Sequence, residues 1–440
     1  MAADTPILGV ARGPHPQSLQ YVKICSLYGA GFYYMPGTDT CLKIGGYVRA
    51  EVNLNAGGSF AVPATLNLNN RNAYFQDWRS RAAITVDARS QTEYGTLRSY
   101  LFMAATDDNS SRNSGNPAPG NLTGASAYTR LYAPAAFIQF AGFTAGKTAS
   151  FFDFDTQPYS NQSNFWGSNN GGNGVEVFAY TAQFGNGLSA SIAAEDAEGH
   201  QMGITNANIL GASGITYANQ AIPDVVANLR IDQAWGSAQV MGAAHQVRAT
   251  DTGGVSNHPG DETGWAFGAG IKINAPMLGK GDNVIAQFTY AKGAMDYVAS
   301  GSSALQTVTS DFPVTSTAYG PMWDAVVVPG NSLDLTKGWS ITGGYEHHWN
   351  TQWKTSLYGA YGKVEYSDTA SAVLVPAGAT GSANWDYWQI GSRTVWTPVQ
   401  NLDLSLEVMY NNLDTAFTGA ALGDQDWVSG MFRIQRNFYP

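Results

Sequence analysis

Leu42-Lys43-Ile44-Gly45-Gly46-Tyr47-Val48-Arg49-Ala50-Glu51-Val52-Asn53-Leu54-Asn55 reads as a two-faced ribbon. Leu42, Ile44, Val48, Ala50, Val52 and Leu54 alternate with Lys43, Tyr47, Arg49, Glu51, Asn53 and Asn55, the glycines filling the gap. A two-residue period sends one set to each face of an extended strand. The polar face carries two cations and an anion and must meet water. The opposite face offers hydrocarbon alone. Strands with an apolar outside and a wet inside build a membrane β-barrel.

Working outward with the same period gives sixteen segments, 42–54, 79–89, 93–104, 131–141, 143–152, 174–184, 187–196, 225–235, 237–248, 264–274, 283–293, 338–348, 353–364, 385–396, 402–413 and 426–438. Each is long enough for the tilted crossing that needs ~9–11 residues. After the first segment the connections alternate long and short. The long ones are 55–78, 105–130, 153–173, 197–224, 249–263, 294–337, 365–384 and 414–425, with brief turns such as Gly185-Asn186 between them. Outer-membrane barrels sort their loops this way, with short turns inside the cell envelope and long loops outside. Hydrocarbon leaves backbone groups no water to bond, so such a sheet must close on itself. The expectation is an all-β, sixteen-stranded antiparallel transmembrane barrel. Trp235, Trp265, Trp339, Trp349, Trp353, Trp388, Trp396 and Trp427 lie near segment ends, as interfacial girdles do.

Composition agrees. Of 440 residues only 13% are charged, against ~25% in soluble domains, and 50 are glycine. Mean hydropathy is slightly negative. No run approaches the ~18 apolar residues of a helical span. A net charge of −10 without a Lys/Arg cluster excludes a nucleic-acid partner. Cys25 and Cys41, an isolated pair, suggest one disulfide formed in an oxidising compartment, two free thiols being the alternative. The opening Met1-Ala2-Ala3-Asp4 is not a secretory leader, so for an exported protein either a mature form with an added Met or a sequence missing its leader is expected.

The stretch Tyr21-Val22-Lys23-Ile24-Cys25-Ser26-Leu27-Tyr28-Gly29-Ala30-Gly31-Phe32-Tyr33-Tyr34-Met35-Pro36-Gly37-Thr38-Asp39-Thr40-Cys41-Leu42-Lys43 closely resembles the N-terminal signature of alphaproteobacterial general-diffusion porins. Thr92-Glu93-Tyr94-Gly95-Thr96-Leu97, Tyr180-Thr181-Ala182-Gln183-Phe184-Gly185-Asn186-Gly187 and Phe432-Arg433-Ile434-Gln435-Arg436-Asn437-Phe438 add to the resemblance, which spans 21–438. It implies a homotrimeric porin of the Gram-negative outer membrane, set among lipid and lipopolysaccharide and passing small hydrophilic solutes and ions. It also implies that the third external loop, 153–173, folds inward. Residues 1–41 would form a periplasmic segment leading into a barrel over 42–440. Barrels of this kind commonly end on an aromatic residue, whereas Phe438 is followed by Tyr439 and Pro440.

A general porin performs no chemistry; it imposes a size limit and an electric field at a constriction. By parity the inward cations of the first three strands are Lys43, Arg49, Arg81 and Arg98, expected to form one basic stripe. Asp153 and Asp155 would face them from the loop. Ion pairing of the arginines with Glu51 and Asp87 is the plainer alternative. Lys147 is a further constriction candidate, although its strand's parity points it outward unless a bulge reverses it.

Rival readings find less support. The histidines His15, His200, His245, His258, His347 and His348 lie in no HExxH or G-x-S-x-G context, so an outer-membrane enzyme is not expected. No cofactor or metal ligand set is legible; Asp153 and Asp155 fall short of the 6–8 oxygens calcium takes. A substrate-specific channel with a saturable site for sugars or dicarboxylates would use lumen aromatics such as Tyr47, Tyr100 and Tyr358. A soluble all-β adhesin would stay monodisperse without detergent.

Overall fold

A computed structural model describes residues 23–55, 76–108, 129–154, 159–162, 165–168, 174–208, 213–250, 258–299, 304–311, 314–419 and 422–438. Sixteen strands follow one another: β1 Cys41–Leu54, β2 Gln76–Thr92, β3 Gly95–Asp108, β4 Thr129–Phe140, β5 Phe143–Thr148, β6 Val175–Gly185, β7 Leu188–Glu195 and β8 Asp224–Gln233. The second half comprises β9 Gly236–Val247, β10 Glu262–Asn274, β11 Asn283–Lys292, β12 Lys337–His348, β13 Trp353–Glu365, β14 Trp385–Val399, β15 Leu402–Asp414 and β16 Gln425–Asn437. Each pairs antiparallel with its neighbours, and β16 returns to β1 with Glu51 opposite Arg433. The sheet is closed.

The alternation read from the sequence survives as a reversal of the soluble pattern. Val48, Ile84, Ile138, Phe178, Ile192, Leu229, Val240, Ile341, Leu357 and Leu406 are exposed, whereas Glu51, Asn53, Asp77, Gln239, Gln287, Thr342, Gln389, Glu407 and Asn411 are buried. Trp235, Trp265, Trp349, Trp353 and Trp396 sit on the exposed set. Trp427 does not; it is buried and stacked on Tyr387. Close backbone approach constrains Gly46, which has φ +150°, and a Cβ there would lie 2.1 Å from the Ala83 carbonyl oxygen. Tight turns use the left-handed region, with Asn186 at φ 49° and Asn401 at φ 65°.

Three segments differ from the sequence reading. Strand β5 stops at Thr148 rather than continuing to 152, because Phe151 donates its N–H to Glu195 and Ser150 accepts from Phe152 and Asp153. The connection 294–337 is not plain loop. It holds a hairpin of Ala304–Asp311 with Val314–Pro321, and a ribbon of Ala325–Val328 with Ser332–Leu335 that adds Ile204–Thr205 in parallel. A short helix, α1 Asp368–Leu374, begins on Ser367, whose side chain accepts the Ala370 N–H. With β-strand ends and the 150–168 segment these pieces share a core of Phe152, Phe165, Trp166, Met295, Tyr297 and Trp385 among others. At the opposite end Cys25 and Cys41 form a disulfide, Cα atoms 5.9 Å apart, beside a Tyr33–Tyr34 bridge onto β1.

Candidate functional site

Register places charges from distant parts of the chain side by side. Arg49 lies opposite Arg81, and Glu51 lies opposite both Arg79 and Arg433. Arg433 donates to Glu51 at 2.8 Å, Arg49 approaches the same carboxylate at 3.5 Å, and Arg79 at 3.9 Å. One carboxylate therefore collects three guanidiniums. Farther round, Arg393 donates to Glu346 at 3.1 Å. Arg81 donates to Thr106 at 2.8 Å and stacks over Tyr132. Arg79, Arg393 and Arg433 were not expected, although parity with Trp78, Thr394 and Phe432 points them inward. The expected stripe took its cations from the first three strands alone and passed over Arg79 there, whereas the pairing of β16 with β1 in the closed sheet brings Arg433 to Glu51.

The described residues of segment 150–168 (150–154, 159–162 and 165–168) reach strands far from the β5 strand that they follow. Asn228 on β8 and Gln239 on β9 donate to the carbonyls of Phe151 and Asp153. Ser160, Asn161 and Gln162 all donate to Glu407 on β15. The Asn161 amide oxygen accepts from Arg433 at 2.8 Å and Arg393 at 3.1 Å, and Ser429 donates to Gln162. Trp166 donates to the Tyr387 carbonyl and stacks on Trp385. Glycines on the facing strands make room for these rings. A Cβ at Gly270 would lie 2.3 Å from Phe154, at Gly344 2.9 Å from Tyr159, and at Gly362 2.6 Å from Trp166. Hydrogen bonds and ring sockets together fasten the segment to β8–β16.

The expected basic residues divide between two heights. Arg81 and Arg89 are eight positions apart on β2, roughly 26 Å along the strand. Arg98 lies opposite Arg89. It donates to Asp87 at 2.9 Å and to Gln139 at 2.9 Å, and Arg89 donates to the same Asp87 at 2.8 Å. Lys43, opposite Asp87, donates to the Ala30 carbonyl of the disulfide-bonded segment. Thus Arg49 and Arg81 form an upper level, Lys43 and Arg98 a lower one near the short turns. Both ion pairs weighed from the sequence, Arg49 with Glu51 and Arg98 with Asp87, are present.

Asp153 hydrogen-bonds Ser168. Burial pushes its carboxyl up to about 7, against the lowering effect of Ser168, with Glu195 adding to the rise. Asp155 lies outside the described residues. Lys147 faces Ala136 and Glu176 in an unbroken register, in the set that carries exposed Phe143 and Phe178. Among the described residues no group of three or more His, Cys, Asp or Glu is placed to hold a metal ion, and no helix is long and apolar enough to cross a membrane.

Comparison with known proteins gives a consistent picture. The profile of the porin subfamily matches residues 10–431. Porin Omp2b of Brucella abortus is 34% identical over 228 residues, which cover 51% of this chain and 56% of that protein. The Brucella canis Omp2b is 33% identical over the same length. The match thus spans a little over half of these relatives. Among solved structures, the outer membrane channel DcaP of Acinetobacter baumannii superposes with a TM-score of 0.62 at 15% identity, covering 92% of this chain and 99% of that one. The trimer form of OmpT from Vibrio cholerae gives 0.51 at 9% identity, with 91% and 100% covered. At these identities the structural likeness speaks for the barrel fold.

Proposed function

The chain belongs to the porin subfamily and is an outer-membrane β-barrel, and from that premise we propose that it is a passive diffusion channel for small hydrophilic solutes and ions. The observation that carries this reading is the polar interior face, buried Gln239, Gln287, Gln389, Glu407 and Asn411 opposite exposed aliphatic residues. A sheet of sixteen strands is wider than side chains alone can fill. The segment 150–168, tied to β8–β16 by Ser160, Asn161 and Trp166, then narrows one side of the lumen. The passage runs between that segment and β1–β4.

Arg81, with Arg49 behind it, forms the upper basic border of this passage, and Arg98 with Arg89 forms a lower one. Asp153, and Asp155 beside it in sequence, supply the opposing charge. Fixed charges bordering a low-dielectric opening concentrate the field locally, so they outweigh the chain's net −10 there. Lys147 belongs to the lipid-facing set and is left out of the border. Residues 1–41 lead in from the periplasm, and the working unit is a homotrimer, the state recorded for the OmpT structure.

Planar-bilayer recording tests the proposal. Purified protein is expected to give conductance that rises linearly with salt, sugar permeation that falls steadily with solute size, and no saturable block. Saturating block by a sugar or dicarboxylate would replace the general channel with a substrate-specific one. Absence of conductance from correctly folded protein would reject both.

A further inference from the structure

Nothing in the permeation pathway accounts for a set of buried ionisable groups behind the root of segment 150–168. Glu195, at the end of β7, accepts the Phe151 N–H at 2.8 Å through one oxygen and meets His200 Nε2 at 3.0 Å through the other. The second ring nitrogen of His200 lies 3.1 Å from Asp296. Next in sequence, Tyr297 stacks on the His200 ring at 4.5 Å, meets the Phe152 ring at a tilt with centroids 4.7 Å apart, and donates its hydroxyl to Asp224 at 2.7 Å. Asp224 in turn meets His245 Nδ1 at 2.8 Å. Beyond it, Tyr217 lies 3.0 Å from His245 Nε2 and donates to Asp324 at 2.7 Å. Asp324 also accepts the N–H groups of Met202 and Met295. Glu195, His200, Asp224, His245 and Asp324 are all at most 1% exposed.

With Glu195 and Asp296 both ionised, the geometry sets the protonation of His200. Each His200 nitrogen faces an ionisable carboxylate, and a neutral imidazole has only one N–H to donate. Two ring donors require the imidazolium. His245 meets the same condition, since the Tyr217 hydroxyl proton is committed to Asp324 and its oxygen is left to accept. Buried charge of this kind is stable only when paired and hydrogen-bonded on every side.

We propose that His200, held as an imidazolium between Glu195 and Asp296, is a positioning residue that clamps the root of segment 150–168 and so sets the aperture of the pore. The proposal rests on the channel reading above. Glu195 joins the two: the carboxylate that receives the Phe151 amide is the one that His200 holds. Asp296 and Tyr297 carry the same tie to the chain 294–299, where Gly167 donates to the Val298 carbonyl and fastens the far end of the segment. Both ends of the segment thus answer to one cluster. Burial alone would lower the His200 pKa, but the hydrogen bonds to Asp296 and Glu195 more than offset it and take it up to about 10. Asp153, whose carboxyl feels Glu195, His200 and Asp296, is the other titratable group of the segment facing the cluster.

His200→Gln keeps a donor and loses the charge. In detergent-folded protein, amide hydrogen exchange at Phe151 is expected to quicken at least tenfold in this variant. In bilayers its channel should flicker and admit larger sugars than the native protein. Native protein should reproduce both changes as pH is raised through about 10, while His200→Gln shows no further step there. A folded variant with native Phe151 exchange would overturn the clamp whatever the currents do. If neither protein conducts yet exchange responds as expected, the clamp stands and the channel reading falls. Should His200→Gln fail to fold, Asp296→Asn and the alkaline titration of native protein decide by the same exchange measurement.

Discussion

The two sides of the barrel wall put one alternating pattern to different uses. On β2 and β3 the inward cations other than the buried Arg79 remain partly open, with side chains of Arg89 and Arg98 exposed by 27% and 25%. On β14–β16 the inward residues Gln389, Glu407, Asn411 and Ser429 are covered almost entirely by segment 150–168 and its neighbours. Inward therefore means two things: facing water on one side, and forming the polar floor of a packed interior on the other. A charge on the open side acts at a distance through its field. A charge on the covered side acts through the contacts it must make, because leaving it unpartnered is costly.

The largest effect should come from removing an anchor of the covered side. Trp166 is fully buried against Trp385 and Phe165, and truncating a buried aromatic costs roughly 3–5 kcal/mol. The closed sheet does not depend on this ring, so the loss falls on the attachment of the segment. Trp166→Ala is expected to fold into a barrel of native electrophoretic behaviour that passes sugars the native channel excludes in liposome swelling. An unaltered size limit would mean that the hydrogen bonds of Ser160 and Asn161 hold the segment alone.

Arginine truncations sharpen the contrast with the chemistry held constant. Arg433→Ala strips Glu51 and Asn161 of a buried partner, and breaking a buried pair costs about 3–5 kcal/mol. Its signature is a lower unfolding temperature. Arg81→Ala combined with Arg98→Ala leaves stability nearly native and raises cation preference severalfold, read as a reversal potential in a salt gradient. If the double variant keeps the native ratio, the open side does not border the constriction.

A smaller effect is expected from Asp153. Burial raises its carboxyl to about 7, above its ordinary value near 3.8. A carboxyl raised in the fold favours folding in its neutral form, and that contribution fades as pH climbs from about 4 through 7. Between pH 6 and 8 the segment therefore gains negative charge. Cation preference should rise modestly over this interval in native protein and stay level in Asp153→Asn. A native-like rise in the variant would assign the titration to another group.

The strand pattern was legible because alternation is local: thirteen or so residues suffice to tell one face from the other. Which inward residues stay wet was not legible, since coverage depends on contacts such as Ser160 with Glu407, 247 positions apart. Arg433 obeyed the parity rule, and closure was itself expected, but the expected cations came from the first three strands alone and the register that sets Arg433 against Glu51 is not written in either strand by itself. The same blindness extended β5 past Thr148, where an apolar run, Phe151-Phe152, reads like strand but turns away to meet Glu195. The hairpin at 304–321 was passed over as loop because strands outside the membrane show no need for a two-faced pattern. Trp427 looked like a girdle residue by position alone, and only the stacking on Tyr387 identifies it as interior.

Lys147 is where local parity and functional expectation pull apart, and the smallest effect is expected there. Strand β5 keeps its register through Gly146 at φ +116°, a position whose added Cβ would meet the Ala136 carbonyl oxygen at 2.4 Å. No residue is inserted, so the lysine stays on the side of Phe143 and Phe178. A lysine facing lipid costs up to about 4 kcal/mol at the midplane and little near the headgroups, which its long stem can reach. Opposite Glu176, and one residue from the end of β5 at Thr148, it sits where the strand leaves the membrane for the long-loop side. Its charge is then screened by water and headgroups outside the barrel wall. Lys147→Gln should leave the reversal potential and the size limit unchanged; a shift toward cations comparable to that of the Arg81/Arg98 variant would place the side chain inside and require β5 to turn over.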